Sequence, residues 1–219
     1  MMKKKRAIAV LQILRRTFTM PKRIEAKRDP FKTLIVTIIS QNTADRNTAR
    51  AFERLSKQFE IKPEVLAKAE NSQIEETLRV AGLYRNKAKA IKRVSTIILE
   101  KFHGSMQSIL SLTFEEARKT LIELPGIGPK TADVVLLFSA NQPTIPVDTH
   151  VNRVSKRLCF ASPNGDYDAV RMNLQLLYNP RDYLAVHVLL IAQGRRYCKA
   201  RRPLCEQCPV NMHCPSRGL

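Results

Sequence analysis

The sequence lacks any apolar run of the roughly 18 residues that a membrane-spanning helix requires. It also lacks an alternating apolar and polar run long enough to predict a β-sheet, and it contains no repeat, low-complexity segment or Gly/Ser-rich linker. These absences exclude a membrane-spanning protein and a repeat architecture. We therefore expect a soluble, cytoplasmic protein that does not associate with a membrane.

Acidic residues are scarce, because only 19 Asp and Glu stand against 38 Lys and Arg, and the formal net charge is +19. Such a surplus fits a polyanionic partner, and nucleic acid is the commonest, since each phosphate that Lys or Arg neutralises releases a counterion. The alternative is a merely basic surface of the kind that thermophilic proteins often carry. Composition leaves both open. With 44% hydrophobic residues, the 219-residue chain can bury a substantial core.

The N-terminus combines a basic start, residues 1–6, with an apolar stretch, as a secretory signal peptide does. Arg15 follows that stretch directly, however, and no small-residue cleavage site is present. Leu11, Leu14 and Phe18 would share one face of a helix. We therefore expect an amphipathic first helix.

Apolar residues recur at spacings of three and four, which predicts helices throughout the chain. Only residues 143–147 look extended. The helical pattern is clearest in three stripes: Phe52/Leu55/Phe59, Ile91/Val94/Ile98/Phe102 and Val170/Leu174/Leu177. Helix-start signals agree with it, namely Asp29-Pro30 and the capping boxes Thr113/Glu116 and Ser72/Glu75. The predicted fold class is all-α.

Two apolar helical segments within residues 113–140 flank the sequence LPGIGPKTA, residues 124–132. Gly126 and Gly128 permit a tight turn with positive φ, and Pro129 suits the first turn of the second helix. This pattern predicts a helix-hairpin-helix. The amides around Gly126, Ile127 and Gly128, with the positive end of the second helix, would bind a DNA phosphate without reading the base sequence. The alternative is an ordinary helical turn.

Lys130 follows the hairpin, in the first turn of the second helix. The positive end of a helix disfavours an ammonium, and a neutral amine is a nucleophile that forms Schiff bases with carbonyl carbons. The C1′ of a deoxyribose that is losing its base is such a carbon. The alternative is that Lys130 is one more phosphate contact. The chemistry of the residue leaves both interpretations open.

Asp148 lies at the start of a later helix, in the sequence PVDTHVNRV, residues 146–154. Its carboxylate could cap that helix, or stabilise the cationic sugar that develops as a base departs and relay protons. The two interpretations are compatible. We expect a structural role for His150.

Four of the five cysteines lie within seventeen residues, as Cys198-x6-Cys205-x2-Cys208-x5-Cys214. Thiols this close, in a reducing compartment, predict a metal site. The compact spacing favours an iron-sulfur cluster, and zinc is the alternative. The cations of the same loop would contact phosphates; they include Lys199, Arg201 and Arg202.

Together, LPGIGPKTADVV, PVDTHVNRV and the cysteine tail resemble endonuclease III, in the helix-hairpin-helix glycosylase superfamily, and the resemblance covers nearly the whole chain. It implies two helical domains with a DNA-binding cleft between them. One, residues 28–137, would be a six-helix barrel that includes the helix-hairpin-helix. The other would combine residues 1–27 with residues 138–219 and hold a [4Fe-4S] cluster.

The resemblance also assigns roles to individual residues. Lys130 corresponds to the lysine that attacks C1′ and forms the imine, and Asp148 to the acid that assists it. Leu83 corresponds to a wedge, and residues 40–43 to the loop that fills the gap left by an extruded nucleotide. A straight alignment places Asn42, rather than Gln41, where the family has glutamine, so either of these two residues could fill the gap.

The function implied is that of a bifunctional DNA glycosylase and AP lyase of base excision repair. It would remove oxidised pyrimidines from duplex DNA and cleave the abasic site by β-elimination. The alternatives are a monofunctional mismatch or uracil/thymine glycosylase, and a non-catalytic helix-hairpin-helix DNA-binding protein. We expect a monomer whose partner is double-stranded DNA with a damaged base or an abasic site.

Overall fold

The computed structural model describes residues 2–20 and 29–218, and all of its regular structure is helical. Within those two ranges there are twelve α-helices, three short 3₁₀ helices and no β-strand. The predicted all-α fold is confirmed. None of the helices in the described ranges is long and apolar enough to cross a membrane.

The α-helices alternate with short connections. In chain order they are α1 (Met2–Thr17), α2 (Pro30–Ser40), α3 (Asp45–Gln58), α4 (Pro63–Lys68), α5 (Asn71–Leu78), α6 (Tyr84–Phe102), α7 (Gln107–Leu110), α8 (Phe114–Ile122), α9 (Pro129–Ala140), α10 (Thr149–Arg157), α11 (Tyr167–Leu177) and α12 (Tyr183–Arg196). The 3₁₀ helices are Arg79–Ala81, Pro180–Asp182 and Asn211–His213.

The chain divides into two compact units. Unit 1 combines Met1–Ile24 with Pro143–Leu219, and unit 2 is Glu25–Gln142. The predicted boundary between residues 27 and 28 lies outside the described residues. The predicted boundary between residues 137 and 138 falls inside α9, whereas the division in the structure follows the end of that helix. A continuously hydrogen-bonded helix is an unsuitable place for a domain boundary.

The core of unit 2 is built around α2, which is apolar on most of its surface. Its residues Leu34, Ile35 and Ile39 are completely buried, as expected for a helix without a polar face. The stripe predicted on α6 also lies in this core, where Ile91 and Ile98 are completely buried. The three-and-four spacing of apolar residues therefore identified the buried face correctly.

The core of unit 1 joins α1 to α10, α11 and α12. The amphipathic first helix is confirmed, because Leu11 and Leu14 are buried and Phe18 packs against the same cluster. The stripe on α11 is confirmed by the burial of Val170 and Leu174.

Two of the three predicted helix starts are confirmed. The Asp29 side chain accepts a hydrogen bond of 2.9 Å from the Lys32 amide at the start of α2, and a capping box opens α8. The capping box predicted at Ser72 is wrong, because Ser72 lies inside α5 and Glu70 is the N-cap. Glu75 instead accepts a hydrogen bond from Asn71.

Candidate functional site

The hairpin connects α8 to α9, as the sequence predicts. Gly126 has a φ of +79°, in the left-handed region that favours glycine. Gly128 has a φ of −98°, which any residue can adopt, so the expectation of positive φ is wrong for this glycine. A Cβ on Gly126 would lie 3.1 Å from the Cβ of Ala90, whereas a Cβ on Gly128 would meet no atom within 4 Å. Gly126 is therefore needed for the turn, and Gly128 leaves the backbone uncovered.

Lys130 is the second residue of α9 and is half-buried. Pro129 precedes it at the first helical position, as predicted, and the Gly128 carbonyl accepts a hydrogen bond of 3.0 Å from the Thr131 amide. The amine therefore lies at the positive end of the helix dipole. The side chain of Ile127 is only 5% exposed, so the backbone of this residue, not its side chain, is suited to a DNA contact.

An ion pair that the sequence analysis missed joins the two helices of the hairpin. The Arg118 Nε lies 3.0 Å from Oδ1 of Asp133, whose side chain is completely buried. A buried charge is tolerated only when it is paired, and this pair fixes α8 against α9. The sequence does contain a signal for this ion pair, because Asp133 is a charged residue among the apolar residues of α9.

Alanine substitutions should show that Gly126 is needed for the turn and that Gly128 is needed for access to the backbone. Gly126→Ala should lower the free energy of unfolding by about 1–2 kcal/mol, because its φ is unfavourable for a residue with a Cβ. Gly128→Ala should leave the unfolding temperature unchanged but weaken binding to undamaged duplex DNA about tenfold, because a methyl group would cover the backbone that we expect to approach a phosphate. Thermal unfolding and DNA titration at one fixed salt concentration measure the two effects. Wild-type DNA affinity in Gly128→Ala would contradict the assignment.

The three residues aligned with DNA-inserting positions differ in their exposure and in their hydrogen bonds. Gln41 Nε2 donates a hydrogen bond of 3.0 Å to the Gly126 carbonyl and lies 3.5 Å from the Thr131 hydroxyl, so the structure places this side chain on the hairpin. Asn42 is exposed and has a φ of +52°. Leu83 is 60% exposed and has a φ of +47°. Both exposed residues thus sit at tight turns of unit 2.

Asp148 caps α10, which is one of its two predicted roles. Its Oδ1 accepts a hydrogen bond of 2.7 Å from the Val151 amide, and its side chain is half-buried. Asp148 belongs to unit 1, with the cysteines, and Lys130 belongs to unit 2, with the hairpin.

Two residues outside the predicted site fix the segment before Asp148. His187, which is 5% exposed, donates from Nδ1 to the Pro146 carbonyl at 2.8 Å. The Val147 amide donates to the Tyr167 hydroxyl at 3.3 Å. These contacts hold the segment extended where it enters α10. The signal for His187 was a polar residue on the apolar face of α12.

His150 has structural contacts. The Arg153 guanidinium lies 3.0 Å from His150 Nδ1, which accepts its hydrogen bond. A Cβ on Gly194 would lie 2.9 Å from the Cβ of His150, so glycine allows α12 to approach α10 closely.

All four C-terminal cysteines line one pocket of unit 1, and each is half-buried. The described cysteines are all free thiols, which excludes disulfides among them. Nor do any three His, Cys, Asp or Glu side chains in the described ranges surround a single ion position. Zinc needs thiolates at about 2.3 Å from one centre, whereas each iron of a [4Fe-4S] cube takes one thiolate. Four thiols around a shared pocket fit the cluster better than the ion.

The surroundings of the thiols also fit a bound cluster. The buried Gln193 donates from Nε2 to Cys208 Sγ at 3.0 Å, and Arg157 donates to Cys198 Sγ at 3.4 Å. Such donors stabilise thiolate sulfur. Burial raises the pKa of the Cys208 and Cys214 thiols, and the neighbouring thiolates raise it further. A metal centre reverses that effect, because its positive charge favours the thiolate.

Arginines of α10 fix the loop that carries the cysteines. Arg153 donates from Nε to the Cys198 carbonyl at 2.9 Å, and Arg157 donates to the carbonyls of Lys199 at 2.6 Å and Ala200 at 3.1 Å. The cations predicted to contact DNA are all exposed on this loop: Lys199, Arg201 and Arg202.

Replacement of one ligand should remove the cluster. We expect Cys208→Ser to lose iron, sulfide and visible absorption, and to bind duplex DNA at least about tenfold more weakly, because the loop would no longer present its cations in a fixed position. Cys159→Ser is the matched control, since Cys159 is an exposed thiol that does not line the pocket. Iron analysis, absorption spectra and DNA titration measure the outcome. A colourless wild-type protein with stoichiometric zinc would contradict the cluster.

Comparisons with known proteins agree with this geometry. Residues 35–180 match the model of the HhH-GPD superfamily base excision DNA repair protein, and residues 198–214 match the iron-sulfur binding domain of endonuclease III. The chain is 36% identical to endonuclease III of Sulfolobus acidocaldarius, over 85% of this chain and 82% of that protein. It is also 36% identical to endonuclease III of Thermotoga maritima, over 85% and 83% of the respective chains.

Solved structures show the same fold. A trapped covalent intermediate of endonuclease III with DNA, in an estranged-adenine complex, superposes with a TM-score of 0.85 at 30% identity, covering 97% of this chain and 96% of that one. A thermostable thymine-DNA glycosylase superposes with a TM-score of 0.80, covering 97% of both chains. Its 20% identity supports the shared fold alone.

Proposed function

Because the chain belongs to the endonuclease III family of the HhH-GPD superfamily, we propose that it is a bifunctional DNA glycosylase and AP lyase. It removes an oxidised pyrimidine from duplex DNA and then cleaves the strand at the resulting abasic site. The observation that carries this proposal is the position of Lys130, a half-buried lysine at the N-terminal turn of α9, directly after a hairpin suited to DNA phosphate.

The amine of Lys130 does the covalent chemistry. Its lone pair attacks C1′ as the bond from C1′ to the base breaks, and the departing base takes up a proton. Loss of the C1′–O4′ bond leaves an imine between Nζ and C1′. The imine makes the C2′ proton acidic, so removal of that proton expels the 3′ phosphate by β-elimination. The strand is cut, and water then releases the sugar fragment from the lysine.

Asp148 has two compatible roles. Its carboxylate caps α10 through the Val151 amide. We propose that the same carboxylate stabilises positive charge on the sugar as the base leaves, and assists the proton transfers that follow. The buried His187 supports this role, because it fixes the residues immediately before Asp148.

Leu83 and Asn42 are the proposed DNA-inserting residues. Leu83 is an exposed apolar side chain that can wedge between bases, and the exposed Asn42 can fill the gap that the extruded nucleotide leaves. Gln41 is less suited to this role, because its side chain amide is hydrogen-bonded to the hairpin.

The four cysteines hold the proposed [4Fe-4S] cluster, which supplies a rigid core for the C-terminal loop. We propose that Lys199, Arg201 and Arg202 of that loop contact DNA phosphates, as the net charge of +19 favours. The protein acts as a monomer on double-stranded DNA with a damaged base or an abasic site. Because the proposed substrate is DNA, we propose that the protein works inside the cell, in the cytoplasm.

One experiment tests the activity. The wild-type protein is incubated with a duplex that contains thymine glycol, once alone and once with sodium borohydride, which reduces an imine to a stable amine. We expect base release, strand cleavage and a covalent protein–DNA adduct. Base release without an adduct would indicate a monofunctional glycosylase. Binding without base release would indicate a non-catalytic DNA-binding protein.

A further inference from the structure

Lys87 is a buried lysine that lies beneath both proposed DNA-inserting turns. It belongs to the first turn of α6 and is only 4% exposed, whereas Arg85 and Lys89 on the same helix are exposed. Lysine is almost never buried to this extent unless its ammonium has partners.

The partners of Lys87 come from the two segments that carry Asn42 and Leu83. Its Nζ donates a hydrogen bond of 2.8 Å to the Ile39 carbonyl, near the end of α2, and one of 2.9 Å to the Ala81 carbonyl, directly before the Leu83 turn. A third bond goes to the hydroxyl of Thr43. The three donors of an ammonium thus have three acceptors in two separate segments of the chain.

Thr43 belongs to the segment that carries Asn42 and links it directly to the segment that carries Leu83. Its hydroxyl accepts from Lys87 and is within hydrogen-bond distance of the Ala81 carbonyl. Thr43 directly follows the exposed Asn42, and Ala81 lies two residues before the exposed Leu83. A shift of either turn would therefore break bonds that hold the other.

The cost of burying Lys87 shows that these bonds matter. Its acceptors are uncharged, and burial lowers the pKa of Lys87 from its ordinary value. A buried ammonium without its acceptors is strongly unfavourable, so the two turns are held against it in one arrangement. A methionine or leucine would fill similar space without that constraint.

We propose that Lys87 is a positioning residue that couples the Asn42 turn to the Leu83 turn, so that both side chains enter the duplex as one rigid pair. Both turns contain a residue with positive φ, a conformation that is unfavourable for a side chain and needs surrounding contacts to hold it. This proposal rests on the proposed function, because it concerns how the duplex is opened before Lys130 reacts. Lys87 itself touches neither the base nor the sugar.

The test separates opening of the duplex from the chemistry. One substrate is a duplex with a tetrahydrofuran abasic analogue opposite 2-aminopurine, whose fluorescence rises when the base loses its stacking. The other is a single-stranded oligonucleotide with an abasic site, which needs no opening. For Lys87→Met we expect loss of the fluorescence rise at saturating protein. On a third substrate, a duplex that contains thymine glycol, we expect excision at least about tenfold slower. Cleavage of the single strand should stay at the wild-type rate.

Two further variants complete the design. Lys101→Met removes the same charge from an exposed position at the far end of α6 and should behave as the wild type does. Thr43→Val removes only the bridging hydroxyl and should lower the fluorescence rise. This variant therefore tests the coupling of the two turns if Lys87→Met does not fold.

Three results would overturn the proposal. They are a wild-type fluorescence rise in Lys87→Met, the same rise in Thr43→Val, and equal losses on duplex and single strand in Lys87→Met. Failure of the wild-type protein to cleave the single-stranded abasic site would instead contradict the proposed lyase function. The tetrahydrofuran analogue has no aldehyde at C1′ and cannot form the imine, so it reports only on opening of the duplex, and the fluorescence measurement would still test the coupling.

Discussion

Lys130→Ala is expected to form no borohydride adduct and to cleave abasic duplex DNA at least about 10³-fold more slowly than the wild type, because the proposed nucleophile is absent. The folded structure should survive, since alanine is the best helix former and Lys130 lies in the first turn of α9. The measurements are single-turnover strand cleavage, adduct formation on a denaturing gel and thermal unfolding.

Lys130→Arg distinguishes a nucleophile from a phosphate contact. Arginine keeps the positive charge but does not lose its proton in proteins, so it can bind a phosphate and cannot form the imine. We expect near-normal affinity for an abasic duplex and no adduct. Lys119→Ala, at an exposed position on α8, is the matched control and should leave both unchanged. Cleavage at the wild-type rate in Lys130→Arg would show that Lys130 is a phosphate contact and not the nucleophile.

Local sequence patterns predicted the helices because their causes are local. The spacing of apolar residues on α6 and the Asp29 cap of α2 depend on side chains within a few positions of one another. The same kind of rule failed at Ser72, where Asn71 pairs with Glu75 and the helix begins earlier than the capping box implies. Several neighbouring polar residues can compete to cap the same helix, and a sequence pattern does not show which of them does so.

The supporting contacts of the site could not be predicted in this way. Lys87 meets Ile39 and Thr43 from another helix and loop, and His187 meets the carbonyl of Pro146 from a distant part of the chain. Each sequence signal was a single polar residue on an apolar face. Only the folded chain shows which acceptor that residue reaches, and those acceptors are mostly backbone carbonyls that carry no sequence signature.

Asp148→Asn is expected to lower the single-turnover rate of base release about 10²–10³-fold while the protein stays as stable as the wild type. Asparagine caps a helix as well as aspartate does, so its side chain oxygen can keep the bond to the Val151 amide. It cannot supply the negative charge that we propose for the developing sugar cation. The measurements are base release under single-turnover conditions and the free energy of unfolding in urea.

Asp166 provides a control with the same capping geometry. It caps α11 by accepting a hydrogen bond of 2.8 Å from the Ala169 amide, and its side chain is exposed. Asp166→Asn should change neither stability nor rate, whereas Asp148→Ala should lose about 1 kcal/mol of stability as well as the activity. If Asp148→Asn released the base as fast as the wild type, capping would account for Asp148 completely. The charge at the sugar would then have to be balanced by another group.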